Sequence, residues 1–451
     1  MRGPRRSAVG LILAILLLGG LVSIPTVAAT AAPVPPPPGP VANNPMAKKP
    51  AKRVILRRLN NAIDAAVPGS DIYIASWNMR NMGAVKGLLR AQRRGVKVLL
   101  IMAKENSSTG RQKGKKMTNK YFTRLARGLA KGNAGRPPER QSGVKLCAHS
   151  CRGTIGIAHT KFYLFSNAGG ATNVVMYGSA NLTDLAATNQ WNDIYTVIGN
   201  PDLYNYMLTT FSQMWTDVPQ PAPYLSGTFG NMQFINGPVR GPGAPDNLVL
   251  EDLNKVQCTG AGPGRGNGNG RTRIRVAMTA QLDTIGEDIA RKLHQLWDQG
   301  CDIKIVYAVF GNNVLKAYRA PGPRGGVPIQ QVVRDLNHDG VYDFYLHTKF
   351  MTIDGVYNGD PNSQITINGS TNWTQVGLKD SDDSYVRITG DAWANAYYTD
   401  FVNYWFSHAP KSWSRYKKRG KTNVNRLVPS VAPAYGVKVH GVNPYKNIEI
   451  Y

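Results

Sequence analysis

A chain of 451 residues is long enough for two domains of ordinary size, and its net charge of +27 points to polyanionic partners. Nucleic acid, anionic lipid headgroups and acidic wall polymers all fit that charge; a cationic exported protein without such a partner is the bland alternative. The only long apolar run lies at the N-terminus, which excludes a protein anchored by a pair of membrane spans.

Arg2, Arg5 and Arg6, the apolar run Val9–Val22 and the small-x-small stretch Ala29-Thr30-Ala31 predict a secretory signal over 1–31, and hence export. An uncleaved anchor is the alternative, because apolar residues continue with interruptions to Val27. The paired arginines point weakly to twin-arginine export, although Ser7-Ala8 lacks the rest of that signature. Residues 32–52, proline-rich over Pro33–Pro45, read as a tether with no means of forming a core.

Residues 53–216 read as a first half. Asp71–Trp77 is predicted as a strand, Asn81–Arg94 as a helix and Gly95–Met102 as a buried parallel strand. Asn106–Lys145 holds eleven Lys or Arg and one acid, Glu139, so it is a basic insertion that rims a site or is simply solvated surface. Ile157–Phe165 alternates as a strand and carries His159-Thr-Lys161-Phe; Gly178-Ser179-Ala180-Asn181 and Asp193-Ile194-Tyr195 follow.

Asp217–Pro245 is rich in Pro and Gly and reads as a linker. The second half, 246–451, repeats the first. Arg273–Ala280 is a strand, Asp283–Gln299 a helix with Ile285, Ile289, Leu293 and Leu296 on one face, and Gly300–Tyr307 the return strand. Gly260–Gly270 is a flexible loop, and Lys411–Arg426 belongs to a basic extension. Tyr345–Ile353 carries His347-Thr-Lys349-Phe, followed by Gly369-Ser370-Thr371-Asn372 and Asp383-Ser384-Tyr385. From the motif asparagine to the matched aspartate the spacing is 12 residues in one copy and 11 in the other. Such a repeat implies duplication, and what repeats is polar, phosphate-handling chemistry.

Two local signals concern metals and redox state. Asp335-x-Asn337-x-Asp339-Gly340 reproduces the opening of a calcium loop, with Asp343 a partial substitute for the closing carboxylate that Leu346 cannot supply; the alternative is an ordinary turn. Four cysteines in an exported chain suggest two disulfides with three connectivities open, the sequence-near choice being Cys147–Cys151 with Cys258–Cys301. Cys147-Ala-His149-Ser-Cys151 reads poorly as a zinc site, since no further Cys or His cluster completes a shell.

Residues two apart on a strand point the same way, so each copy presents an imidazole beside an ammonium. Were the halves to pack about a pseudo-two-fold axis, His159, Lys161, Ser179 and Asn181 would face His347, Lys349, Ser370 and Asn372 around one phosphoryl anion. One neutral imidazole attacks phosphorus and the other, protonated, donates to the leaving oxygen; Asp193 and Asp383 are the matched candidates for orienting the rings. Fixed cations stabilise the transition state, so no active-site metal or other cofactor is required.

These motifs resemble the phospholipase D superfamily, whose signature is His-x-Lys-x4-Asp followed by Gly-Ser-x-Asn. The second copy matches throughout, with Asp354 as the acid; in the first, Ser166 stands where the Asp belongs. In the family that acid is largely structural. The resemblance covers roughly Arg53 to Phe406. It implies an α/β fold of two duplicated sandwich halves with one active site at their interface, and a phosphohistidine intermediate resolved by water or an alcohol. By analogy His159 is the nucleophile and His347 the general acid, then base; nothing in the residues excludes the reverse. A secreted enzyme hydrolysing glycerophospholipids at a phospholipid surface is the favoured expectation. A metal-independent nuclease and a non-catalytic polyanion-binding protein are the alternatives, and a monomer is expected.

Overall fold

In the computed structural model, which describes residues 34–112, 115–337, 339–410, 433–439 and 441–450, the crossover expected at the start of each half is formed. Strand Asp71–Ser76 leads through helix Met82–Arg93 to strand Lys97–Ala103, and the two strands pair in parallel. The helix starts at Met82 because the Asn81 side chain accepts the Ala84 N–H at 2.7 Å, a cap worth about 1 kcal/mol. In the second half Arg273–Gln281, helix Asp283–Asp298 and Asp302–Phe310 repeat the unit. The signal expected over 1–31 and the basic run Lys411–Arg426 lie outside the described residues.

Each half completes a mixed sheet in the same strand order. The first runs Gly39–Ala42, Asp193–Val197, Ala171–Gly178, Lys161–Ala168, Asp71–Ser76, Lys97–Ala103, Gly143–Cys147. The second runs Met232–Asn236, Ser384–Thr389, Asp360–Gly369, Lys349–Tyr357, Arg273–Gln281, Asp302–Phe310, Ile329–Gln331, with Leu225–Phe229 added outside Met232–Asn236.

This order corrects two expectations. The proline-rich tether contains the edge strand Gly39–Ala42, antiparallel to Asp193–Val197, and the linker contains its counterpart, Met232–Asn236, antiparallel to Ser384–Thr389. Proline is tolerated on an edge because one side of that strand donates no ladder hydrogen bond. Gly39 is needed there: with φ +78, a Cβ would fall 1.9 Å from the Trp393 ring. Part of the basic insertion is also integral. Helix Lys120–Lys131 buries Phe122, Leu125 and Leu129, and leaves Lys120, Arg124, Arg127 and Lys131 exposed.

Period-2 alternation sorts the cores. Ile72 and Ile74 face an outer core with the helices Val54–Ala65, Met82–Arg93 and Lys120–Lys131, while Tyr73 and Ala75 face a core shared by both halves. Ile274, Val276 and Met278 face the second outer core; Ala277 joins the shared one. The shared core also takes Leu203, Met207 and Phe211 of helix Pro201–Thr216, with Tyr398 and Val402 of helix Ala392–His408. No helix among the described residues is long and apolar enough to cross a membrane.

Candidate active site

Both histidines sit two residues before the strands Lys161–Ala168 and Lys349–Tyr357, and each is pinned by backbone bonds from the opposite half. His159 N–H and Thr160 N–H donate to Asp382 O at 3.1 and 2.7 Å; His347 N–H donates to Trp191 O at 2.8 Å. Next to these bonds, Gln190-Trp191 pairs in parallel with Tyr345-Leu346, and Ala158 bridges Asp382. The halves therefore dock through the segments that carry the two histidines.

The rings are held by matched positions. His159 Nδ1 lies 3.0 Å from an Asp383 carboxylate oxygen, and His347 Nδ1 lies 2.8 Å from Asn192 Oδ1. The Asn192 amide is oriented by its own NH2 group, which donates to Ala186 O and Gln190 Oε1, both at 3.0 Å. Its oxygen thus faces His347, which makes Nδ1 the donor and leaves Nε2 the unprotonated nitrogen of the neutral ring.

Asp193, expected to orient one of the two rings, is bonded to neither. The carboxylate accepts from Ser179 Oγ at 2.8 Å and from Tyr398 OH at 3.0 Å. The reason is register. Ser179 N–H donates to Asp193 O as Ser370 N–H donates to Ser384 O, each at 3.0 Å, so Asp193 corresponds to Ser384 and Asn192 to Asp383. Counted from the motif glycine, Asn192 and Asp383 both stand at the fourteenth residue. Matching the two aspartates by type introduces a one-residue slip.

The motif glycines permit this crossing. A Cβ on Gly178 would lie 2.5 Å from Asp193 O, and one on Gly369 would lie 2.1 Å from Ser384 O. The serines differ from their expected phosphate-binding role. Ser179 Oγ reaches Asn192 Oδ1 and Asp193 Oδ1 while accepting the Asp193 N–H at 2.9 Å. Ser370 Oγ donates to Asp383 and accepts the Ser384 N–H at 3.0 Å. Both hydroxyls therefore brace the residues that orient the rings.

Lys161 and Lys349 are buried, and each ammonium turns back to the carbonyl of its own histidine, Lys349 at 2.7 Å. Burial pushes Lys161 down to about 7, with Asp383 and Glu449 opposing; burial and then Lys161 push Lys349 well below the ordinary lysine range. Burial and the two ammonium groups likewise depress both imidazoles. Each imidazole is thus depressed by the lysine of the opposite motif as well as by its own. Burial pushes the Asp383 carboxyl up to about 7 and Asp193 up to about 6. Asn181 and Asn372 are fully buried beside these groups.

Asp354 lies away from the site, where it receives Arg273 at 2.6 Å across the strand pair. In the first half the pattern is inverted. Ser166 Oγ accepts the Asp71 N–H at 2.8 Å, and Asp71 pairs with Arg140 at 2.6 Å. An aspartate at 166 would face Asp71 with like charge, which accounts for the departure from the motif.

Asp335, Asn337, Asp339 and Asp343 form a turn in which their side-chain oxygens accept backbone N–H groups: Gly340 on Asp335, Asp339 on Asn337, Val341 on Asp339 and Leu336 on Asp343. Among the described residues, the His, Cys, Asp and Glu groups close enough to share an ion are Cys147, Cys151 and Asp217, and both cysteines are consumed by a disulfide. Cys258–Cys301 is the second disulfide.

Sequence reasoning missed Asn192, Gln190 and Glu449. An ungapped count from the motif glycine finds the first. Nothing local signals Glu449, whose Oε2 accepts from Asn181 Nδ2 at 3.2 Å and Gln190 Nε2 at 2.9 Å, and lies 3.7 Å from His347 Nε2. One carboxylate thus touches motif residues of both halves.

Residues 59–215 and 268–405 match the family model described as cardiolipin synthase, PLD-like domain. No curated protein matches the chain. Phosphatidylserine synthase from Haemophilus influenzae Rd KW20 is similar, with a TM-score of 0.52 at 12% identity over 83% of this chain and 89% of that one. Polyphosphate kinase from Porphyromonas gingivalis gives 0.49 at 12% identity over 81% of this chain, which spans 49% of that protein's length. Nuc from Salmonella typhimurium, a phospholipase D family member, gives 0.29 at 20% identity over 40% of this chain and 96% of that one. At such identities these likenesses concern fold alone. With a His-x-Lys motif inside each of the two matched stretches, the chain belongs to the phospholipase D superfamily, in the family described as cardiolipin synthase, PLD-like domain.

Proposed function

We propose that the protein is an exported phospholipase D-type phosphodiesterase that hydrolyses the headgroup ester of glycerophospholipids through a phosphohistidine, and transfers the phosphatidyl group to alcohols. Members of the superfamily act on phosphodiesters and generally do so without a metal ion. The observation that carries the reading is the paired ring geometry: each Nδ1 is occupied by an acceptor next to the opposite half's docking strand, which reserves each Nε2 for the substrate.

The two partners differ, and the difference supports His159 as nucleophile and His347 as general acid. The Asp383 carboxylate stabilises the cation that develops when His159 Nε2 bonds phosphorus. Neutral Asn192 leaves protonated His347 the stronger acid, suited to donating its Nε2 proton as the P–O bond to the headgroup breaks. His347 then accepts a proton from water, whose oxygen attacks phosphorus; the P–N bond breaks, releasing phosphatidic acid and restoring both rings. Lys161, Lys349, Asn181 and Asn372 supply fixed donors to the phosphoryl oxygens throughout.

Lipid is supported by the family's description, which names a phospholipid synthase, and by the export signal expected over 1–31. A nuclease is the second reading, favoured by the net charge of +27 and the exposed cationic face of helix Lys120–Lys131. Purified protein offered phosphatidylcholine vesicles and plasmid DNA side by side, without divalent metal, separates them. Headgroup release is expected; plasmid degradation without lipid turnover transfers the function to nucleic acid, and neither activity leaves a binding protein. N-terminal sequencing of the mature protein tests export, with a start expected near Ala32.

A further inference from the structure

Side chains that should receive a phosphoryl anion already meet a carboxylate. Glu449 Oε2 accepts from Asn181 Nδ2 and Gln190 Nε2, faces the His347 Nε2 that has no hydrogen-bond partner among the described residues, and opposes the depression of both buried lysines. A carboxylate has the charge and the two-oxygen edge of one face of a phosphodiester, so Asn181, one of the donors that would bind substrate, is bound here.

The carboxylate arrives on a short anchored segment. Tyr445 is buried against Tyr342 with ring centroids 5.4 Å apart, its hydroxyl accepts from Gln331 Nε2 at 3.1 Å, and Tyr342 N–H donates to Pro444 O at 2.9 Å. Ile448 joins the shared core, and Glu449 N–H donates to the Tyr345 hydroxyl at 3.2 Å, beside the His347 ring. Lys446 and Asn447 between these anchors are exposed. Beyond Tyr445, then, the segment is held by Ile448 and Ile450 on the shared core, by the Lys446 and Ile448 N–H bonds to Asn443 O and Tyr445 O, and by the active site itself.

We propose that residues 446–450 form an autoinhibitory latch, with Glu449 standing in for the substrate phosphate, and that a phosphodiester enters only when this latch leaves. The inference rests on the phosphodiesterase reading for its consequence, but not for the anion site itself. Glu449 is here a competitor of the substrate and takes no part in the reaction.

Two variants test it: Glu449→Gln, which removes the charge and retains the shape, and a chain ending at Lys446, which keeps the Tyr445 anchor. Inorganic phosphate affinity is measured by calorimetry, and kcat/KM on a phosphodiester in parallel. Phosphate should bind at least about tenfold tighter to both variants, since the competing occupant is weakened or gone. Diester turnover should rise, and a synthetic peptide of residues 441–450 should inhibit the shortened chain competitively. If the shortened chain fails to fold, Glu449→Gln decides alone. Unchanged or weaker phosphate binding overturns the latch. So does a folded Glu449→Gln protein with reduced turnover, which would make Glu449 part of the machinery. Tighter phosphate binding without any diester turnover upholds the latch and removes the phosphodiesterase reading.

Discussion

His347 Nδ1 lies 2.8 Å from the Asn192 amide oxygen, in the position where His159 meets the Asp383 carboxylate at 3.0 Å. Two halves built alike thus hold their imidazoles with different charge. Asn192→Asp is expected to raise the His347 pKa, because a buried anion at that distance favours the imidazolium, and to move the corresponding limb of the kcat/KM profile to higher pH. Asn192→Ala frees the ring and should cost roughly 10²-fold in kcat through lost orientation. A profile that stays in place in Asn192→Asp would show that His347 does not titrate in the rate-limiting step.

Replacing His159 or His347 by Ala should abolish turnover. Replacing Lys161, Lys349, Asn181 or Asn372 should cost roughly 10²–10³-fold, as lost transition-state donors do. Acid quench with labelled substrate should capture phosphate on His159. Label on His347 would reverse the two roles, and near-normal turnover in His159→Ala would defeat the shared-site mechanism altogether.

Burial holds Lys161 down at about 7, with Asp383 and Glu449 opposing. Above that pH the amine of the free protein is mostly neutral, and an arriving anion restores the ammonium. Phosphate binding near pH 8 should therefore take up protons, read by calorimetry in two buffers of different ionisation enthalpy. By the same sign, kcat/KM should fall as pH rises above about 7, where the free protein loses the charge that receives the substrate. Binding without proton uptake would place the titration elsewhere.

EDTA should leave activity intact, since the cations available at the site are side chains. The side chains of Asp335, Asn337, Asp339 and Asp343 already accept backbone N–H groups of their own turn. Added calcium should accordingly leave Tm unchanged; a rise that saturates with calcium would revive the ion-binding loop.

Thiol titration of denatured, unreduced protein should find no free thiol. Cys258–Cys301 closes 43 residues and Cys147–Cys151 only 4, so chain-entropy arguments assign them about 4 and about 2 kcal/mol. Reduction should lower Tm chiefly through the first, which Cys258→Ser with Cys301→Ser isolates.

Much of the fold is legible in the sequence because its signals are local. Strand Asp71–Ser76, helix Met82–Arg93 and their second-half counterparts follow from alternation, helical spacing and the Asn81 cap. The prolines around Gly39 and Met232 mislead because composition cannot distinguish a linker from an edge strand. In the site, His159, Lys161, His347 and Lys349 are legible as repeated residue types at fixed spacing. The orienting pair is less so: residue type matched Asp193 to Asp383, but the backbone ladder counts residues, and a slip of one turns a side chain to the other face.

By itself, then, the sequence determined the duplication, the crossover units and the identity of the reactive side chains, since these depend on neighbours a few residues apart. Only the tertiary structure decided which acceptor holds which ring, why Ser166 replaces an acid, and that Glu449 reaches Asn181 across 268 residues. Each of these depends on two segments meeting in space, and their contact follows from the packing of both sheets on one shared core rather than from any local pattern.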